Sequence, residues 1–198
     1  MQVLKETLRA RIIPGLMKKG PTTSPIKRWL GLTALGQSES IRFGTLFEEA
    51  LNDYVAQSPS YTNITTSAQK TYITPEYTLT PKSRNNKDVD ILFRIGNVIY
   101  YRECKCNLLL DSEKSKTTAE KVRLIAMRLQ QLYPACSIDA AVLCMDWSGS
   151  KQEYCGVPLE YAGTFINRLQ VENNITEEDY LTIGKQLGKE VAENATNN

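Results

Sequence analysis

Apolar residues recur with a helical spacing in several parts of the chain. Four stretches have this pattern and predict helices with one buried face: residues 41–57, 119–133, 159–170 and 176–194. Pro134 directly follows the second stretch and would end that helix. Thr176 opens the last stretch and Asp179 stands three residues later, a spacing typical of the first turn of a helix.

A second pattern, rich in β-branched and aromatic residues, predicts strands. Residues 88–107 contain two such runs on either side of Gly96-Asn97, a dipeptide typical of a two-residue hairpin turn. Residues 136–147 form a near-continuous apolar run bounded by turn-forming residues, which predicts a buried strand. Residues 152–158 predict one more strand.

The remaining segments show little periodicity. Residues 1–40 are interrupted by prolines and glycines and are predicted to be irregular. Residues 58–80 predict a loop with one or two strands, and residues 108–118 predict a polar loop. The order of helix, strands, helix, strand and helices indicates an α/β sandwich, in which helices flank a mixed central β-sheet.

The composition fits one domain spanning residues 1–198. A chain of 198 residues with 41% hydrophobic content can bury one substantial core. The net charge is only +2, but residues 1–42 carry eight basic and two acidic side chains, a local charge of +6. Residues 170–198 carry two basic and six acidic side chains, a local charge of −4. The basic segment suits a polyanion and equally an ordinary solvated surface.

Several classes of protein are excluded or disfavoured by what the chain lacks. It has five cysteines, an odd number, and no secretory signal or membrane-length apolar run, so we expect a cytoplasmic protein without a membrane partner. It has no histidine, which excludes Ser-His-Asp and Cys-His nucleophiles and His-metal centres. It also lacks glycine-rich phosphate-binding motifs, so we expect no nucleotide cofactor. An enzyme built from this chain would rely on carboxylates, a lysine and a hard metal ion.

The predicted hairpin places four charged residues on one face. A two-residue turn at Gly96-Asn97 makes Asp90 face Glu103 and Asp88 face Lys105. Paired side chains on antiparallel strands lie about 4.5–5.5 Å apart at Cβ, so two such carboxylates repel each other unless a cation lies between them. Mg²⁺ suits such a pair, and the lysine could stabilise the charge of a phosphate. A purely structural salt-bridge cluster is the alternative interpretation.

The spacing from Asp90 to Glu103-Cys104-Lys105 resembles the PD-(D/E)XK nuclease motif. The continuation of the strand is similar in style to type II restriction endonucleases. The resemblance implies that Asp90 and Glu103 bind Mg²⁺, for which Mn²⁺ can substitute, with the backbone carbonyl of Cys104 as a further ligand. Val89 stands where the family has proline, so Asp88 remains an alternative metal ligand.

The family often adds a glutamate on an N-terminal helix, in a context like Gly-x-x-Phe-Glu. Residues 44–48 fit this context, which makes Glu48 the candidate and Glu49 the alternative. The residues around the hairpin that could contact DNA have basic or amide side chains: Lys82, Arg84, Asn85, Asn86, Lys87 and Asn107. The same composition is also typical of an ordinary solvated loop.

The resemblance therefore implies a restriction-endonuclease-like fold and a Mg²⁺-dependent endonuclease. It covers residues 43–146 as a catalytic core, with residues 1–42 as a basic N-terminal segment and residues 147–198 as a C-terminal helical part. The expected substrate is double-stranded DNA, cut at a short palindrome by a homodimer. A structure-specific or repair nuclease of the same fold and a non-catalytic DNA-binding protein are the alternatives.

Overall fold

The structure, a computed structural model, describes most of the chain. The described residues are 1–16, 27–31, 37–63, 71–73, 79–80, 87–106, 108 and 112–196. Side chains are described for residues 1–13, 29–31, 41–61, 88–106, 108 and 112–193.

The described residues form six helices and nine strands. The helices are α1 (Gln2–Leu16), α2 (Lys27–Leu30), α3 (Gln37–Val55), α4 (Ser112–Leu132), α5 (Ala162–Leu169) and α6 (Glu177–Thr196). The strands are β1 (Thr62–Asn63), β2 (Thr71–Ile73), β3 (Leu79–Thr80), β4 (Lys87–Val89), β5 (Ile91–Ile95), β6 (Val98–Lys105), β7 (Ser137–Cys144), β8 (Glu153–Tyr154) and β9 (Val157–Tyr161).

A mixed central sheet organises the fold. Its strand order is β1-β5-β6-β7-β9-β8, with β6, β7 and β9 parallel and the pairs β1/β5, β5/β6 and β8/β9 antiparallel. Strands β3, β2 and β4 form a small second sheet. The parallel pair β6/β7 is connected through α4, as a parallel connection requires a crossover. The predicted α/β architecture with a mixed sheet flanked by helices is confirmed.

Two buried clusters lie on the two faces of the sheet. On one face, α4 packs Val122, Ile125 and Leu129 against the sheet. On the other, α1, α3, α5 and α6 form a larger cluster in which the predicted apolar face of α3 is fully buried. Each face of the sheet therefore has its own helical cover, which holds the strand ends in place.

The register of the β5–β6 hairpin matches the prediction along its whole ladder. The pairs run from Ile95 with Val98 to Ile91 with Arg102, and Gly96 has a positive φ of 53° in the turn. Beyond this ladder the prediction is wrong, because the chain bends at residue 90. As a result Asp88 pairs with Tyr72 of β2 instead of with Lys105.

Three segment predictions are also wrong. Residues 1–40 are not irregular throughout, because α1 places Leu4, Leu8 and Ile12 in the core at a spacing of four. The predicted loop at residues 108–118 ends early, since α4 begins at residue 112. The predicted helix at residues 159–170 begins only at residue 162, because the three residues before it continue β9 beside β7.

Two further observations bear on the environment of the chain. All five cysteines are free thiols. No helix among the described residues combines the length and the hydropathy that a membrane crossing requires.

Candidate active site

Two buried carboxylates lie where β5 begins and β6 ends. Asp90 occupies the bend between β4 and β5, and Glu103 belongs to the last three residues of β6. Only 6% of Asp90 and 2% of Glu103 are exposed. Buried carboxylates are rare unless they are paired with cations, so positive partners are expected close to both acids.

Lys121 of α4 connects the two carboxylates. Its Nζ lies 2.6 Å from Oε2 of Glu103 and 3.5 Å from Oδ1 of Asp90. The same Nζ lies 2.9 Å from Oδ1 of Asp88. The sequence pattern had assigned no role to this lysine, although it stands beside the apolar stripe of α4, three residues after Thr118 and four before Ile125. That position at the edge of the buried face is the one signal that could have revealed it.

Two further side chains hold Glu103. Lys105, the lysine of the predicted motif, has its Nζ 2.7 Å from Oε1 of Glu103. Tyr101 donates its hydroxyl to Oε2 of Glu103 at 2.7 Å. All three residues lie on the face of β6 that α4 covers, because they alternate along the strand. Tyr101 is fully buried, whereas a quarter of the Lys105 side chain is exposed and could be reached by a ligand.

The pKa values of the two carboxyl groups are shifted in opposite directions. Burial and the charge of Glu103 raise the pKa of Asp90 to about 6, although the two lysines oppose the rise. Burial would also raise the pKa of Glu103, but the ammonium groups of Lys105 and Lys121 outweigh it and lower that pKa. Asp90 is therefore the carboxylate that most lacks a positive partner, and a divalent cation would supply one.

Hydrogen bonds fix Asp90 from two sides. The main-chain N–H of Cys104 donates to its Oδ2 at 2.8 Å. The side-chain Nδ2 of Asn52, in α3, donates to two main-chain carbonyl oxygens, that of Asp90 at 2.9 Å and that of Glu48 at 3.1 Å. The bend that carries Asp90 is thus attached to both β6 and α3.

The two glutamates predicted on α3 point in different directions. Consecutive positions on a helix are about 100° apart, so only one of them can approach the hairpin. Glu48 lies one turn before Asn52, on the side of α3 that contacts the bend at Asp90, and its charge adds to burial and Asp90 in raising the pKa of the Cys104 thiol. Glu49 lies instead beside Arg11 of α1, with Oε2 3.5 Å from Nη1.

The residues present fit a hard divalent cation. Asp90 and Glu103 offer carboxylate oxygens to one shared position, where the Lys121 ammonium already demonstrates that a cation is accommodated. Among the described residues, no group of three or more Asp, Glu or Cys side chains is placed to hold a metal. A pair of carboxylates is compatible with Mg²⁺, which commonly uses one or two carboxylates with water.

Most of the predicted DNA contacts cannot be placed. Lys82, Arg84, Asn85, Asn86 and Asn107 lie outside the described residues, and for Lys87 only the backbone is described, in β4.

The basic N-terminal segment is partly neutralised within the protein. Arg9 lies 2.7 Å from Glu190, and Arg11 lies 2.7 Å from Asp53. At least these two cations of residues 1–42 are paired internally, which reduces the charge that this segment could present to a polyanion.

Comparisons with protein-family models, with curated proteins and with solved structures found no match. The site combines two buried carboxylates and two lysines, which meet around the carboxyl end of β6.

Proposed function

We propose that this chain is a Mg²⁺-dependent endonuclease of the PD-(D/E)XK type. It hydrolyses phosphodiester bonds of double-stranded DNA at a short, palindromic sequence, as type II restriction endonucleases do. The observation that carries the proposal is the buried pair Asp90 and Glu103, flanked by the ammonium groups of Lys105 and Lys121. Carboxylates that hold a hard cation beside lysines that attract phosphate match the needs of phosphodiester hydrolysis.

Asp90 and Glu103 would hold the cation, for which Mn²⁺ would substitute. The carbonyl of Cys104 is a suitable third ligand, because the N–H and C=O of a strand residue point to the same side and its N–H already meets Asp90. A bound divalent cation supplies Lewis-acid stabilisation of the phosphate charge and activation of water.

The protein's own residues supply the remaining functions. Tyr101 orients the Glu103 carboxylate by its hydroxyl, and burial of both acids excludes bulk water from the site. Lys105, partly exposed, is placed to contact a phosphate oxygen where negative charge develops. Glu48 adds negative charge from α3 and helps to retain the cation near the end of β6.

The arrangement of elements supports a restriction-endonuclease-like fold. The acids lie at the open end of the β5–β6 hairpin, and α4 connects β6 to its parallel neighbour β7. An enzyme of this kind would act in the cytoplasm, which agrees with the expectation from the cysteine content.

A homodimer is the simplest assembly for cutting both strands of a palindrome. One chain contributes one pair of Asp90 and Glu103, and a two-fold axis relates two such sites to the two strands. Light scattering with and without cognate DNA should detect a dimer in at least one condition. A particle that stays monomeric in both and still cuts both strands would instead indicate sequential nicking.

The deciding experiment is plasmid digestion with Mg²⁺ and with EDTA, followed by sequencing of the fragment ends. Wild type should give a discrete fragment pattern with Mg²⁺ and intact plasmid with EDTA. Asp90→Ala and Glu103→Ala should abolish cleavage while circular dichroism stays native. Glu153→Ala removes an exposed strand glutamate and is the matched control that should retain activity.

The outcomes separate the alternatives. Cleavage that depends on DNA junctions or damage instead of sequence would favour a structure-specific or repair nuclease. Sequence-specific binding without cleavage at any divalent cation concentration would favour a non-catalytic DNA-binding protein. Activity that persists in Asp90→Ala and Glu103→Ala would refute the site.

A further inference from the structure

The oxygens that a shared cation needs are those that Lys121 already contacts. Of the four carboxylate oxygens, Oδ2 of Asp90 accepts from the Cys104 N–H and Oε1 of Glu103 lies beside Lys105. The other two oxygens are Oδ1 of Asp90 and Oε2 of Glu103, which also accepts from Tyr101, and both face the Nζ of Lys121. A divalent cation shared by the two acids would therefore meet the ammonium group at the same oxygens.

An ammonium group and a divalent cation cannot occupy this position together. Magnesium binds carboxylate oxygen at about 2.0–2.1 Å, which would place it against an ammonium group that contacts the same oxygen at 2.6 Å. Like charges at such a separation repel strongly in a buried site. Binding of one requires displacement of the other.

Lys121 has a second partner that remains available after displacement. Asp88 lies 2.9 Å from its Nζ and is the most exposed of the three acids that this ammonium contacts. The side chain of Asp88, in β4, is 37% exposed, whereas only 15% of the Lys121 side chain is exposed. An ammonium that leaves Asp90 and Glu103 can thus stay bound to Asp88 while moving toward solvent.

We propose that Lys121 is a resident counter-cation of the site, which a divalent cation displaces onto Asp88. The proposal rests on the function proposed above and assigns roles to Lys121 and Asp88. Without metal, the positive charge of the ammonium group offsets the repulsion between the two buried carboxylates. With metal, the same ammonium is freed at the mouth of the site, where it is available to the phosphate of a bound DNA strand. Competition with Lys121 also weakens the affinity for the cation.

Calorimetric titration with Mn²⁺ tests the competition without reference to cleavage. Lys121→Met keeps the apolar stem and removes the charge, so it should bind Mn²⁺ about tenfold more tightly than wild type, or tighter still. Lys116→Met removes an exposed lysine of the same helix and should bind like wild type. In EDTA, Lys121→Met should unfold at lower urea concentration than wild type, and saturating Mn²⁺ should reverse the order.

A second measurement uses unmodified protein and does not depend on the variant folding. Acetylation of lysines by an N-hydroxysuccinimide ester, followed by peptide mass spectrometry, reports how accessible each amine is. Addition of Mn²⁺ should raise the labelling of Lys121 several-fold and leave that of Lys116 unchanged.

The possible results distinguish this inference from the proposed function. If wild type binds Mn²⁺ but Lys121→Met binds it no more tightly, the displacement is overturned and the nuclease proposal stays intact. The same holds if wild type binds Mn²⁺ and the labelling of Lys121 does not rise. Wild type that binds neither Mn²⁺ nor Mg²⁺ overturns both. Tighter binding in Lys121→Met and metal-dependent exposure of Lys121 support the displacement, even if plasmid DNA is not cut.

Discussion

Asn52 donates a hydrogen bond from its side-chain amide to the main-chain carbonyl of Asp90, and both residues are buried. The same amide bonds to the carbonyl of Glu48, one turn earlier in α3. This one side chain therefore joins the helix to the bend between β4 and β5. Since Asp90 belongs to no ladder pair of the hairpin, this contact and that with the Cys104 N–H determine where its carboxylate points.

Asn52→Ala should lower the free energy of unfolding and reduce DNA cleavage together. The substitution leaves the buried carbonyl of Asp90 without its donor, which typically costs about 1–3 kcal/mol. Urea unfolding and plasmid cleavage measure the two effects. Gln57→Ala removes an exposed amide just after the same helix, which also bonds to a carbonyl four residues earlier, and should change neither. Full activity in Asn52→Ala would show that Asp90 is positioned without it.

Asp90→Asn should become more stabilising relative to wild type as the pH rises. The folded-state pKa of Asp90 is raised from 3.8 to about 6, so its favourable contribution is complete at low pH and is lost as the pH passes through about 6. The difference in unfolding free energy between variant and wild type should therefore grow by about 3 kcal/mol from below about pH 3 to about pH 8. Urea unfolding in EDTA at several pH values measures it.

The same comparison includes a control for the metal. Saturating Mg²⁺ should shrink the gain at high pH, because the cation stabilises ionised Asp90 in the wild type alone. A variant-to-wild-type difference that stays flat with pH would mean that Asp90 is ionised throughout this range.

Glu48→Gln and Glu49→Gln should differ in their effect on cleavage. The charge of Glu48 reaches the thiol of Cys104 at the end of β6, whereas Glu49 lies beside Arg11 of α1. Removing a charge that supports a metal site commonly costs about 10- to 100-fold in metal affinity or activity, which we expect for Glu48 alone. Cleavage rates at several Mg²⁺ concentrations measure this. The reverse ranking would assign the accessory role to Glu49.

Arg102→Met should be among the most destabilising charge removals. Arg102 is 1% exposed, and its guanidinium lies 2.5 Å from Glu160 and 3.0 Å from Asp139. Removing Arg102 leaves the buried Glu160 with Arg168, 2.5 Å away, as its remaining cation, so the loss should approach the about 3–5 kcal/mol that is typical of a broken buried ion pair. Urea unfolding of Arg102→Met, Glu160→Gln and the double variant should show strong coupling, so that the double variant loses less than the two single losses combined.

The exposed pair Arg9 and Glu190 is the matched control for this cycle. Its coupling should be below about 1 kcal/mol because solvent screens both charges. Equal coupling in the two cycles would mean that burial does not strengthen the pair at Arg102.

Gly188→Ala should destabilise the fold where α6 meets α2, whereas Gly44→Ala should not. A Cβ on Gly188 would overlap the main-chain carbonyl of Leu30, which cannot move without its helix, so the expected cost is about 1–3 kcal/mol. A Cβ on Gly44 would meet only the Sγ of Cys106, at an ordinary distance of 3.8 Å. Alanine there should stabilise α3 by about 0.5–1 kcal/mol. Urea unfolding compares the pair, and equal losses would show that the α2–α6 contact is loose.

Local features of the fold could be predicted from neighbouring residues alone. Gly96-Asn97 determined the turn of the β5–β6 hairpin. The position of that turn then determined the β6 partner of every residue from Ile91 to Ile95. The apolar stripe of α3 likewise identified one helix face without reference to any other element. These predictions succeeded because turn chemistry and side-chain periodicity depend on residues that are adjacent or a few positions apart.

The composition of the site was decided by tertiary structure. Asp88 does not continue the β5–β6 ladder, because β4 pairs with β2 instead and the chain bends at Asp90. Lys121 reaches that bend because α4 docks its apolar stripe on the sheet, more than fifteen residues after Glu103 in the chain.

The sequence by itself therefore determined Asp90 and Glu103 as candidates, and also the hairpin at whose open end they lie. It did not determine which cation lies between them, because the one local signal of Lys121, its position beside the apolar stripe of α4, does not show which residues that helix will meet. Packing of helices on both faces of the sheet brings these residues together, and such contacts form only when the whole core is buried.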